Sequence, residues 1–251
     1  MPVSPRNDGL KLAVQYSLPP CQLGFCGPRE EKNRKLLVEF AKGRKIPPSE
    51  VRRVLERFEA MYPYLRLIAR GNGITDPLDE RVVRAFWVGN EMLEKVAVDD
   101  LRRLITTDFV GPGRLSKEEA ERRAMAVPDG AVPHHSFHVL ILGSVTGRVK
   151  FTNALRDLCR IGWGKVLEVG DRRSEVRVRY KPLVSGEDGR MKLGEEVEKG
   201  IAWDKEITPG VEVGDWVSFH WGRVCDVLCK EDVSNLMHYT QLTLGSCMQL
   251  L

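Results

Sequence analysis

The chain has 251 residues, of which 42% are hydrophobic and 29% charged, with a formal net charge of +4. That length buries a sizeable core in one large domain or two small ones, and the composition is ordinary for a soluble globular protein. Lys and Arg alternate with Asp and Glu, which argues against a nucleic-acid footprint. The first segment, "MPVSPRNDGLKLAVQYSLPP", lacks the apolar stretch of a signal peptide, and no apolar run approaches the roughly 20 residues of a membrane span. The expectation is a cytoplasmic protein with neither membrane nor nucleic acid as partner. In that compartment the six cysteines (Cys21, Cys26, Cys159, Cys225, Cys229 and Cys247) read as free or metal-binding thiols in preference to a disulfide framework.

In chain order, "SLPPCQLGFCGP" reads as a loop that sets Cys21 and Cys26 just before a helix, where a thiol is expected to have a lowered pKa. "PREEKNRKLLVEFAKG" predicts that helix, with Pro28 at its start, Leu36, Leu37 and Phe40 on one face and Gly43 at its end. "SEVRRVLERFEAMY" repeats the pattern with Val51, Val54, Leu55, Phe58 and Met61. "DPLDERVVRAFWVGNEMLEKV" predicts a helix from Pro77 carrying Val82, Val83, Phe86 and Leu93. Two shorter helices follow at "VDDLRRLI" and "SKEEAERRAMAV", the second opened by the capping-box spacing of Ser116 and Glu119. "FHVLILGSV" predicts a buried strand.

Beyond residue 150 the period changes from helical to alternating. Val166, Val169, Val176, Val178 and Tyr180 mark two strands around a turn. "GIAWDKEI" and "GDWVSFHWGRVCDVL" add short strands, "SGEDGRMKLGEEVEKG" reads as a mobile hairpin loop, and "KEDVSNLMHYTQLTL" predicts a final helix. The fold class is therefore α+β: a mostly helical domain over residues 1–150, then a small OB-like β-barrel with a C-terminal helix over 151–251.

The pairing of "LCRIGWGKVLEV" with the later "VEVGDWVSFHWGRVCDVL" resembles the HypC/HupF family of [NiFe]-hydrogenase maturation chaperones. Cys159, Gly164-Lys165-Val166, Gly214-Asp215-Trp216-Val217, His220, Gly222 and Glu231-Asp232 fall in the matching order, over roughly residues 157–243. The resemblance implies an OB-like barrel whose Cys159 is a thiolate ligand to iron, with His220 a nearby polar or ligating group. It also implies partners among maturation proteins and the hydrogenase large subunit. Thiolate and imidazole both suit iron. Read without the resemblance, Cys159 is a small buried hydrophobe more often than a ligand, and His220 is equally a strand residue facing water. Cys225 and Cys229, in a C-x3-C spacing, read as packing residues in preference to a zinc knuckle.

In the helical half, "PHHSFHV" places three histidines within six residues. As an extended segment it would put His134, Ser136 and His138 on one face and His135 on the other. Two histidines on one face, completed by thiols of the Cys21/Cys26 loop, would make a tetrahedral zinc-type set. The bland reading is histidines hydrogen-bonded where a loop enters a strand. These motifs, with "DPLDERVVRAFWVGN", resemble an uncharacterised bacterial and archaeal domain family that carries a "PPN-LG-CGP" loop and "PHHSFHV". Cys26 matches its loop, while Cys21 stands where Asn is usual. Asp76, Asp79, Trp87 and Asn90 are candidate supporting residues.

Three functional readings follow. The first is an accessory protein of [NiFe]-hydrogenase maturation that handles an iron centre or the hydrogenase precursor. The alternative is a metal- or thiol-dependent enzyme whose site uses Cys26, His134, His135 and His138, with zinc as the alternative metal. A protein-binding module is the weaker third reading.

Overall fold

The computed structural model describes residues 9–170 and 174–247, so the turn expected between the first two barrel strands lies largely outside the described residues. The opening segment is a helix, α1 (Gly9–Gln22), in which twelve residues from Gly9 to Cys21 are buried. A helix apolar on every side belongs inside a protein. The other helices of this half are α2 (Glu31–Ala41), α3 (Pro48–Leu55), α4 (Met61–Gly71), α5 (Glu80–Trp87), α6 (Val98–Thr107) and α7 (Lys117–Met125); α2, α3 and α5 pack directly on α1, α4 packs on α5 and α6, and α7 packs on α6. Val51, Val54, Leu55, Phe58, Met61, Val82, Val83 and Phe86 are interior as expected, whereas of the expected α2 face Leu37 is buried and Leu36 and Phe40 are partly buried.

Local chemistry sets the helix ends. Asp79 caps α5 by accepting the Arg81 N–H, and Ser116 caps α7 by accepting that of Glu119. The single helix expected from Pro77 to Val96 breaks after Trp87. Gly89 sits there at φ +101°, and a Cβ on it would lie 2.1 Å from the Tyr239 ring. Only glycine accommodates both the left-handed backbone and that approach. Asn90 then caps a short 3-10 turn at Glu91–Lys95.

The C-terminal half is a closed five-stranded barrel. Its strands are β1 (Gly162–Gly170), β2 (Glu175–Tyr180), β5 (Val197–Ala202), β6 (Trp216–His220) and β7 (Arg223–Leu228), in the order β1-β2-β5-β7-β6. The pairs are antiparallel except β5 with β7, the meander-then-crossover order of an OB barrel. Val166 pairs with Val178 and Val169 with Val176; Val166, Val176 and Val178 fill the barrel core with Ile201 and Val217. The segment between β2 and β5, expected as a hairpin loop, carries a small two-stranded hairpin, β3 (Leu183–Ser185) with β4 (Met191–Leu193).

One apolar core crosses from helices to barrel, joining α1 and α5 residues to Trp163, Cys225, Leu228, Leu236 and Tyr239. The last helix, α10 (Lys230–Cys247), is tied to α5 and β7 by Arg84, which reaches Asp232 at 3.0 Å and Asp226 at 3.5 Å. Among the described residues no helix is long and apolar enough to cross a membrane.

Candidate metal centre

The "PHHSFHVLIL" segment is helical, which corrects the expectation of an extended strand. His134 is the N-cap of a single helical turn, α8 (His135–Phe137), which runs into a π-helical turn at His138–Leu142 and stops at Gly143 with φ 79°. The helical turn reverses the predicted grouping: His135 and His138 now stack, 6.1 Å between ring centres. His134 is committed to the cap instead. Its Nδ1 accepts the Ser136 N–H at 3.2 Å, and its ring stacks on Tyr239 at 5.6 Å.

Cys159 ends a short helix, α9 (Asn153–Cys159), directly before β1, and His220 is the last residue of β6. His220 is buried, at 1% exposure, so the reading of a strand residue facing water is corrected. One ligand atom from each of His135, Cys159 and His220 lies within 4.8 Å of the other two. All three residues are buried.

Two carbonyls left free by local structure orient the imidazoles. Pro20 has no N–H, so within α1 it cannot bond the carbonyl four residues back, that of Tyr16. His220 Nδ1 takes up that carbonyl at 2.7 Å. The Cys159 carbonyl lies in the last turn of α9, where helices leave acceptors unpaired, and His135 Nε2 meets it at 2.9 Å. A carbonyl only accepts, so these ring nitrogens carry the protons. The lone pairs are thereby on His135 Nδ1 and His220 Nε2, and both atoms are buried without a hydrogen-bond partner. Imidazoles held by one N–H on a backbone carbonyl, with the other nitrogen bare, have the outer support that metal-ligating histidines usually carry.

A cavity of about 50 Å³ adjoins these groups, bordered by Cys26, Trp87, His138 and Trp221 among others. A water needs roughly 10–15 Å³ of such space, so it has room for a metal ion with a small ligand. The Trp87 ring lies 4.6 Å from His135 and 5.6 Å from His220. His138 faces the Tyr64 hydroxyl at 3.5 Å across its Nδ1.

The electrostatics follow from burial. Desolvation lowers His134 to about 3 and His138 and His220 to about 4, and pushes His135 well below its ordinary value, with His220 adding to the effect. The thiols move the other way. Burial raises Cys21 to about 11, Cys26 to about 12, and Cys159 strongly upward. This corrects the expectation of low-pKa thiols at a helix start. Cys21 lies inside α1, its Sγ 3.9 Å from the Pro28 carbonyl oxygen, and Cys26 is half-buried in the link that follows. Thiols of this kind ligate by losing their proton to solvent as the cation binds.

Of the six sequence candidates, then, His135, Cys159 and His220 converge, Cys26 and His138 border the same cavity, and His134 caps a turn. Trp87, a supporting candidate, packs against two of the three converging residues. Asp76 pairs with Arg52 at 2.8 Å, and Asp79 and Asn90 are caps. Cys225 is buried as expected of a packing residue, whereas Cys229 is exposed. Sequence reasoning passed over Pro20 and Tyr16. The signal was the adjacent prolines of "SLPPC", which leave helix carbonyls unbonded.

An OB-type barrel joined to a helical array, with two imidazoles and a thiol converging at the junction, defines the class of protein. The chain matches the family of unknown function DUF6390 over residues 5–251 and belongs to that family. No curated protein and no solved structure matches it.

Proposed function

We propose that this protein binds iron at His135, Cys159 and His220 and serves as an accessory protein of [NiFe]-hydrogenase maturation, with the iron as its cargo. The observation that carries the reading is the convergence of two buried imidazoles and a thiol, one ligand atom of each lying within 4.8 Å of the other two. Cys159 and His220 are also the two positions picked out by the resemblance to the HypC/HupF chaperones. Their soft and borderline donors suit iron, and zinc is the alternative occupant. Anaerobically purified protein is expected to hold stoichiometric iron and to co-purify with hydrogenase precursor or maturation proteins. Both are expected to be lost in Cys159→Ala. Zinc alone, or neither metal nor such partners, would sink the proposal.

A second reading, a metal-dependent enzyme, is favoured by one observation. Three protein ligands leave a coordination position open, and His138 borders the cavity with Tyr64 behind it. Turnover would then depend on His138, whereas iron carriage would not.

Pro20 supplies a sharper check of the oriented-imidazole argument. Pro20→Ala restores an N–H able to bond the Tyr16 carbonyl, in competition with His220. Metal affinity is expected to fall about tenfold, the scale of losing an outer partner, with circular dichroism unchanged. Equal affinity in the two proteins would separate Pro20 from the site.

A further inference from the structure

We infer that Cys26 is a fourth, exchangeable ligand at this site, so that the metal passes between a closed set of two imidazoles with two thiolates and an open three-ligand set. This rests on the reading that His135, Cys159 and His220 hold a metal ion.

His135, Cys159 and His220 sit on a helical turn, a helix end and a strand end, whereas Cys26 sits in the irregular link between α1 and α2. That link is fastened against the site through neighbours of the ligands. Phe25 packs on Trp221, with 4.6 Å between ring centres, and Trp221 N donates to the Leu158 carbonyl at 2.7 Å. The residues beside Cys26, His220 and Cys159 are thus in direct contact, and the Cys26 side chain borders the same cavity.

On its other side the link is fixed by Gly27. Its carbonyl accepts from Arg148 at 2.8 Å, and Arg148 pairs with Glu59 at 2.6 Å. A Cβ on Gly27 would lie 2.5 Å from the Phe58 ring, so glycine is what lets the link come this close.

Chemistry supplies the reason for a fourth ligand. Three protein ligands leave a tetrahedral ion one position short, and a second thiolate completes the set of two cysteines and two histidines typical of a closed site. Cys26 lies outside the 4.8 Å grouping of the other three, which fits a ligand that engages and withdraws. An open position is what a site needs in order to hand its ion on. Cys21 serves as the internal contrast, since it is directed to Pro28 and does not border the cavity.

Cobalt(II) added anaerobically to the full chain provides the probe. Its thiolate-to-metal charge-transfer absorption scales with the number of bound thiolates. In Cys26→Ser and Cys26→Ala that absorption is expected to fall by half, and a chelator is expected to remove cobalt faster than from the parent chain. Cys21→Ser is expected to match the parent chain. If the Cys26 variants match it too, while Cys159→Ser loses absorption, Cys26 is not a ligand and only this inference falls. If the parent chain takes up no cobalt, the three-ligand reading falls as well.

Discussion

Acidification is expected to unfold the metal-free protein in a steep transition centred at about pH 4–5. His134, His138 and His220 are held at about 3, 4 and 4 against an ordinary 6.5, and His135 lies well below it. The first cause at each is burial. The charged groups facing them add to it: His220 and His138 act on His135, and Arg123 on His138. A histidine whose folded pKa is lowered stays neutral in the native chain while the unfolded chain takes up a proton. Stability then falls as pH drops below 6.5 and stops falling only at the folded pKa.

The cost is roughly 1.4 kcal/mol per histidine per pH unit, or about 5–6 kcal/mol per unit for the four. Asp226 opposes this. Burial raises it from 3.8 to about 6, with Arg84 pulling it down and Asp232 pushing it up. Between those values the native chain holds a proton that the unfolded chain lacks, and stability gains as pH falls. One proton set against four leaves three, or roughly 4 kcal/mol per pH unit. A domain stable by about 5–15 kcal/mol at neutrality exhausts that within a few units.

Circular dichroism and tryptophan fluorescence, followed from neutral pH downward with a chelator present, measure the transition. His138→Gln is expected to make it shallower by one proton and shift it to lower pH. A metal ion held by His135 and His220 is expected to shift it lower too, because it competes with protons for the same nitrogens. Native spectra persisting to about pH 3 would contradict the account.

The histidine segment also marks the limit of what the sequence discloses. The barrel was legible because an antiparallel sheet with one face inward writes a period of two, as Val166, Val176 and Val178 do. Amphipathic α3, α5 and α6 were legible from their 3.6-residue stripes. Buried on every side, α1 has no stripe, and its two prolines argued for a loop. "VLIL" is a short apolar run that suits a buried strand and a buried helical turn equally. The choice between them is made by Gly143 and by the packing of His135 under Trp87, which no local pattern encodes. Cys159 and His220 were visible through motif resemblance. Their meeting with His135 depends on α8 and the end of β6 being brought together in space, and sequence spacing carries no information about that.

Asp157→Ala is expected to destabilise the protein by about 3–5 kcal/mol, and the reason lies immediately beside Cys159. Arg160 is buried at 1% side-chain exposure, and its charge is met by Asp157 at 3.0 Å. Its Nη2 also donates to the Lys181 carbonyl at 2.6 Å, and its guanidinium lies 5.4 Å from the Trp163 ring centre. Asp157 further accepts the Leu183 N–H at 2.8 Å and the Tyr180 hydroxyl at 3.2 Å. It thus joins α9 to β2 and the β3–β4 hairpin. Removing the carboxylate strands a buried cation and two donors, which is the costly way to break such a pair. At about 2–4 °C per kcal/mol for a chain of this size, thermal unfolding is expected to drop by roughly 6–20 °C. Replacing both partners, as in Asp157→Ala with Arg160→Met, is expected to recover the part of the loss that comes from the buried charge, while the Leu183 N–H and the Tyr180 hydroxyl stay unpaired. If the single and double variants melt together, the pair does not hold this corner. Cys159 lies between the two residues in sequence, and its carbonyl is the anchor for His135. The ion pair is therefore also expected to set metal affinity, and the single variant to bind more weakly than the double.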